Sequence, residues 1–235
     1  MIKELFMGKK NIQKSFIDQI KGKKKVQKKS IGVYKYLVHH SFFEVLTGAY
    51  PEFYQIIKEK NLEKEFDKSI YKFMQTDAMS PYIWQMPNEY RKFLKKSKYF
   101  KKLSYLNDLL HFEYSELFIF MQKNSLVTKK KFSSSKRYRV SKEIILHKYH
   151  YNIIDKTFDT KETLYLLGYF DTNLQEVVYR PVSELLFLFL KKLNKQKTLK
   201  KNIKLFLQKN NLSVKIYAKE FETLLEELYQ KRVLV

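Results

Sequence analysis

Between Tyr34 and Tyr114 apolar side chains return at helical spacing, and two X-Pro steps, Tyr50-Pro51 and Ser80-Pro81, cut the run. Proline cannot donate to the preceding turn and pushes its predecessor out of the α region, so each step ends or restarts a helix. The stretch therefore reads as several short helices. Tyr34, Leu37, Val38, Phe42, Val45, Leu46, Ala49, Phe53 and Ile57 form the apolar set over 31–58, with a break near Tyr50. Leu62, Phe66, Ile70, Phe73 and Met74 predict a helix over 61–74, with Asn61 as its N-cap. Residues 75–87 are expected as a loop because Pro81 and Pro87 exclude a regular helix, and Asn88 is the expected cap of a short segment ending at Leu94. Leu103, Leu106, Leu109, Leu110, Leu117, Phe118 and Met121 predict a long helix over 102–122. With a short amphipathic helix expected over 3–20, this half describes an α-helical bundle.

A different pattern follows. Residues 123–137, KNSLVTKKKFSSSKR, are polar, basic and serine-rich, which marks a boundary between an α-helical domain over 1–125 and a small domain over 138–235. Ile144-Ile145-Leu146 leans toward strand. Leu164 to Phe170 reads as a strand, Asp171-Thr172-Asn173 as a turn, and Glu176 to Arg180 as the returning strand, which Pro181 stops. Helices are predicted over 183–194, 198–210 and 214–231, with Thr198 and Ser213 near their starts, and Val233-Leu234-Val235 as a final short strand. The fold class is mainly α: an N-terminal bundle followed by a small, winged-helix-like α+β domain. With 235 residues, 44% of them hydrophobic, the chain can bury cores of this size, and only 5 glycines and 4 prolines interrupt it.

Composition also bounds the chemistry. The chain has no cysteine, which excludes disulfides, thiol catalysis and cysteine-held zinc and suits a reducing cytoplasm. The N-terminal segment lacks the apolar run of a signal peptide, and the best apolar segment, Leu185 to Leu190, is six residues long, so a soluble protein without a membrane span is expected. Lysine and arginine number 47 against 24 acidic residues, a net charge of +23. Such a field attracts polyanions, so some DNA binding is expected, chiefly non-specific. The same lysine excess follows from AT-rich codons, and arginine, the better base reader, is scarce. Residues 21–30, KGKKKVQKKS, read as a solvated linker or a polyanion-binding arm. Lys191, Lys192, Lys195, Lys197, Lys200, Lys201 and Lys204 form the better candidate patch, or equally the solvated faces of their helices. Glu220, Glu222, Glu226 and Glu227 would repel phosphates.

No catalytic constellation emerges. His147 and His150 fall on opposite faces of an expected strand, and the adjacent His39 and His40 point different ways on a helix. Asp108 and Glu113 stand five apart on one helix, about 500° of rotation, and do not face each other. Glu113, between Phe112 and Tyr114, reads as a buried acid bonded to a neighbouring helix or as a half-exposed charge. Trp84 with Tyr82 and Met86 reads as an aromatic binding surface or as a plug at the end of the bundle. The chain carries no glycine-rich phosphate loop and no G-x-S-x-G. No catalytic residue, cofactor or metal is expected.

In order along the chain, Tyr34, Leu46, Tyr50-Pro51, Phe66, Ser80-Pro81, Phe93-Leu94, Tyr105-Leu106, Leu109 and Phe112-Glu113-Tyr114 resemble the anchors of the HvfC/BufC family of peptide-modification chaperones. The helical domain of that family has also been labelled a DNA-binding domain. The hairpin ending Val178-Tyr179-Arg180 resembles the family's second domain more weakly. Two departures stand out: Lys35 where an arginine is expected, and no Leu-Gly pair after Pro51. The resemblance implies a non-catalytic partner of a TIM-barrel multinuclear iron oxygenase, helping to present a cysteine-bearing ribosomal precursor peptide, as in methanobactin-type pathways. Iron would then belong to the partner enzyme. The residues it puts forward for structural or interaction roles are Tyr34, Tyr50, Pro51, Ser80, Pro81, Glu113, Tyr179 and Arg180, with Trp84 added by its loop position. The alternative is a DNA-binding transcriptional regulator.

Overall fold

A computed structural model describes residues 12–76, 82–122 and 131–235. The chain divides into two compact units, Met1–Tyr114 and Ser115–Val235. The expected helix over 3–20 is described only from residue 12, and residues 12–20 are helical (α1). The helices α2 (Lys29–Ala49), α3 (Pro51–Glu59), α4 (Glu63–Met74), α5 (Met86–Lys96) and α6 (Leu106–Met121) follow, with a 3-10 turn at Ile83–Gln85.

Pro51 ends α2 and opens α3, in the first turn where its missing N–H costs nothing. Asn61 is not the cap of α4. It sits at φ 53°, in the left-handed conformation that closes α3, with the Leu62 N–H reaching back to the Ile57 carbonyl at 2.8 Å. Asparagine serves both positions, because its short polar side chain tolerates the left-handed region as well as capping a helix. Pro87 likewise lies inside a helix, in the permitted first turn of α5, so Asn88 is helical and does not cap. The long helix begins at Leu106, after turns that include Phe100 at φ 53°. Residues 29 and 30 of the expected linker belong to α2, and the Gln27 N–H donates to Oε1 of the buried Gln19 at 3.0 Å.

The core of the first unit is aromatic. Tyr50, Phe53, Phe66, Phe73 and Tyr90 are buried, and they meet edge to face: Phe53 on Phe66 at 5.7 Å, Phe66 on Tyr90 at 6.2 Å and Phe73 on Tyr90 at 5.3 Å. Tyr34 and Leu37, counted in the apolar set, face outward instead, 55% and 51% exposed. Met121 also turns outward, and Ile119 takes the buried position near the end of α6.

The second unit is α-rich with a small sheet. Strands β1 (Ile145–Tyr149), β2 (Leu164–Asp171) and β3 (Glu176–Pro181) pair antiparallel in the order β1-β2-β3. The register sets Asp171 opposite Glu176 and Leu166 opposite Pro181. Asp171 Oδ1 accepts from the Asn173 N–H at 2.9 Å, which turns the chain, and Gln175 takes φ 59°. Gly168 in β2 leaves room for a ring, since a Cβ there would lie 2.7 Å from Cε1 of Tyr179 and 3.0 Å from Ile119. The helices α7 (Glu184–Lys192), α8 (Leu199–Lys209) and α9 (Val214–Gln230) follow. Thr198 caps α8 and Ser183 caps α7, whereas Ser213 stands before α9 without a side-chain bond. Leu167, Leu190, Leu199, Leu207, Leu225 and Leu228 build the core with the rings of Phe189, Phe206 and Phe221. The expected last strand is an isolated bridge, Leu234 with Val140.

The division falls inside α6, between Tyr114 and Ser115, rather than at 123–137. The physical reason is packing: Ser115, Ile119 and Phe120 lie against Tyr179, Gly168 and Phe170 of the sheet. Residues 123–130 of the expected boundary lie outside the described residues. No described helix is long and apolar enough to cross a membrane.

Candidate functional site

Two of the anchors quoted from the sequence, Tyr50 and Glu113, lie at the start of α3, which Pro51 opens. Glu113, buried on α6, accepts from the Glu52 N–H at 2.7 Å through Oε1 and from the Phe53 N–H at 3.3 Å through Oε2. The first amide groups of a helix have no partner within it and carry its positive end, so a carboxylate there satisfies both needs. Tyr50, fully buried, donates its phenol O–H to the Pro87 carbonyl at 2.6 Å, and burial holds that phenol well above its ordinary pKa. Tyr50 and Glu113 thus tie the start of α3 to α5 and α6, while Pro51, which opens α3, is exposed. Both carboxylate oxygens of Glu113 accept backbone amides, which ties α6 to the start of α3. Ser80 and Pro81 lie outside the described residues.

A second buried polar group lies between α2 and α4. His39 stacks on Tyr71 with ring centroids 3.9 Å apart, and its Nε2 is 3.0 Å from Oδ1 of Asp67. That distance is an ion-pair distance, but the contact is not aligned as a hydrogen bond. Burial lowers the imidazole pKa, and Asp67 works against that shift. His40 is exposed, 3.2 Å from Glu44.

Two outward surfaces stand apart from these. On α2, Val33, Tyr34, Tyr36 and Leu37 are exposed, and on α1 so are Ile12, Phe16 and Ile17. The Phe16 and Tyr34 rings touch edge-on at 5.9 Å, which joins the two helices' shares into one apolar stripe. Residues 12–38 hold eight lysines and one acidic residue, Asp18, so the stripe is bordered by positive charge. At the 3-10 turn, Tyr82 and Ile83 are exposed and Trp84 is half-buried, with the Tyr82 and Trp84 rings 6.4 Å apart.

In the second unit Tyr179 bonds through its O–H to Ser115 Oγ at 2.7 Å, and burial raises its phenol pKa. Arg180 Nη1 donates to Oε1 of Glu227 at 2.6 Å, so its charge is engaged between β3 and α9. Lys191, Lys192, Lys195, Lys200, Lys201 and Lys204 are exposed along α7, α8 and their connection, and Lys197 is half-buried. Lys191 lies over the Phe187 ring, 5.5 Å from its centroid. Glu220, Glu226 and Glu227 are exposed and Glu222 half-buried on α9.

Two features carried no sequence signal. Lys231 donates to Oδ2 of the buried Asp171 at 2.6 Å, sixty residues away. A cleft of about 230 Å³ opens where α5 ends and α6 begins, with Arg91, Lys95 and Lys101 in its walls. Among the described residues, no three His, Asp or Glu side chains converge as metal ligands. No protein-family model and no curated protein sequence matches the chain.

Proposed function

We propose that this chain is a non-catalytic partner and chaperone of a multinuclear iron oxygenase, helping to bind and present a ribosomal precursor peptide for cysteine modification in the cytoplasm. The observation that carries the reading is the division of labour among the anchors. Tyr50 and Glu113 are buried and spent on ties between helices, and Pro51 opens α3, whereas Tyr34 stands outward in an apolar stripe that includes Phe16, Tyr36 and Leu37. Exposed aromatic and aliphatic side chains of this kind are the anchors of protein interfaces. Co-expression with an iron oxygenase encoded beside its gene, and with a short cysteine-containing precursor, tests the reading. The pair should copurify and modify the precursor, and each protein alone should not. Turnover by the isolated chain with iron would sink it.

A second reading rests on the lysines of α7 and α8. With β2–β3 as a wing and α8 and α9 as the helix pair, the second unit would be a winged-helix-like DNA reader. The charge makes non-specific retention certain at low salt, so binding alone decides nothing. A regulator should keep a preference of on the order of a thousandfold for its site at physiological salt. We expect instead a uniform loss of DNA affinity as salt rises, with the oxygenase still held.

A further inference from the structure

The cleft between α5 and α6 is lined by one stretch of the first unit, from Arg91 to Leu110, where the end of one helix and the start of the next face each other. Leu94, Phe100, Leu103 and Leu110 give it an apolar floor, and Arg91, Lys95 and Lys101 stand in its walls. No acidic residue lines it. Carboxylates nearby in sequence or space are engaged elsewhere: Glu65 Oε1 accepts from the Phe100 N–H at 2.9 Å, and Glu89 pairs with Lys92 at 2.9 Å. Asp108, in the first turn of α6, is buried and has partners of its own.

Arg91 is the informative member. It is half-buried, and its guanidinium meets only neutral amide oxygens: Asn88 Oδ1 at 3.1 Å from Nη2 and 3.4 Å from Nε, and Asn107 Oδ1 at 3.3 Å from Nη1. Among the described residues no carboxylate lies at ion-pair distance from Arg91, Lys95 or Lys101. A guanidinium has five N–H groups in a planar fork, so two remain for a ligand after these contacts. The asparagines hold the fork in place without neutralising it, and partial burial strengthens whatever anion it meets. Phe100 fixes the floor: its left-handed backbone turns the chain and its buried ring packs on Phe53 at 5.5 Å. The cavity, at about 230 Å³, is smaller than a drug-sized pocket, which fits a body no larger than one apolar side chain.

We infer that this cleft binds a small amphipathic anion, a carboxylate or phosphate carried on an apolar body about the size of a leucine or phenylalanine side chain. The inference stands independently of the oxygenase-partner reading. Free metabolites and the acidic end of a peptide both supply such a group, and the probes separate them.

The test is titration of the full chain, followed by calorimetry and by amide chemical shifts, with 3-phenylpropionate, phenyl phosphate, inorganic phosphate, a short peptide ending in phenylalanine, and 3-phenylpropanamide as the neutral control. Saturable binding of at least one anion, with shifts centred on Arg91 and Asn107, is expected, and the amide should bind at least about tenfold more weakly. The double substitution Lys95→Gln with Lys101→Gln should weaken the anion by about tenfold, whereas Lys215→Gln on α9 should leave it unchanged. Arg91→Lys should weaken it further by removing the fork. If that variant fails to fold, the exposed lysine pair still decides. Equal binding of the amide, equal loss in Lys215→Gln, or inorganic phosphate binding as tightly as phenyl phosphate would each overturn the inference.

Discussion

The two units close their helix ends by different means. In the second, the side chain that caps a helix is three residues from the amide it serves: Ser183 Oγ accepts from the Leu186 N–H at 3.2 Å, and Thr198 Oγ1 from the Lys201 N–H at 3.3 Å. In the first, the N-cap residues of α2, α3, α4 and α5 make no side-chain cap bond. There the start of α3 is served by Glu113, sixty or more residues further along the chain. A local cap helps its helix before the rest of the unit has formed. A distant cap contributes only once α3 and α6 have met, so it specifies the packing of two helices rather than the existence of one. The cores differ in the same sense. Interlocking rings whose edges meet faces fill the first, and leucines around a triad of phenylalanines fill the second.

The largest effects should come from those cores. Phe66 touches the rings of Phe43, Phe53, Tyr54 and Tyr90 and is fully buried. Phe66→Ala is expected to cost about 3–5 kcal/mol, and Leu225→Ala in the second unit about 2–5 kcal/mol, as measured by urea unfolding. A loss under about 1 kcal/mol for Phe66→Ala would show that the ring network relaxes around a cavity, and the contrast between the cores would fail. Gly168→Ala should follow. Its new methyl would meet the Tyr179 ring, which the Ser115 bond holds, so about 1–3 kcal/mol of overpacking is expected.

The caps sharpen the comparison at a smaller scale. Glu113→Ala leaves two amides of α3 unserved inside the unit and should cost about 1–3 kcal/mol. Thr198→Ala, whose amide faces solvent, should cost about 1 kcal/mol. The kinetics should also separate them, because a local cap can form before the folding transition state and a distant one need not. Equal costs with equal effects on the folding rate would erase the distinction.

The same distinction explains what could be read from the sequence. The break at Tyr50-Pro51, the hairpin turn at Asp171 and the cap at Thr198 are local, and each signal acts within a few residues of itself. Asn61 misleads because capping and left-handed closure ask for the same side chain. Pro87 misleads because the first turn of a helix accepts proline. Periodicity groups Tyr34 and Leu37 with the core because it reports a repeat and not which neighbours cover it. Burial of Glu113 was one of two readings, and its amide partners lay far away in sequence. The sequence pattern marks Leu94, Leu103, Leu106 and Leu110 as apolar helix positions but not the cleft they line at Arg91, which depends on a helix end, a helix start and a left-handed phenylalanine.

The smallest expected effect is a difference in how the units respond to acid. His39 in the first unit is held below the usual histidine range by burial, with Asp67 opposing and Lys35 and His40 reinforcing. The unfolded chain therefore takes up this proton first, at about pH 6.5. The stability that neutral His39 gives is complete above that pH and is lost as pH falls toward the folded value. In the second unit Lys231 and the Asn173 N–H hold Asp171 below the usual carboxylate range. Its contribution is complete above about pH 4 and is lost only as pH falls further through the folded value. Between about pH 7.5 and 5.5 the unfolding midpoint should thus decline through His39 alone of the two, and His39→Gln should flatten that slope. Below about pH 4 the Asp171→Asn substitution should flatten the remaining decline. Ring and amide resonances of each unit, followed through the same titration, would assign each window to its unit. A slope above pH 5.5 that survives His39→Gln would remove the buried imidazole from the account.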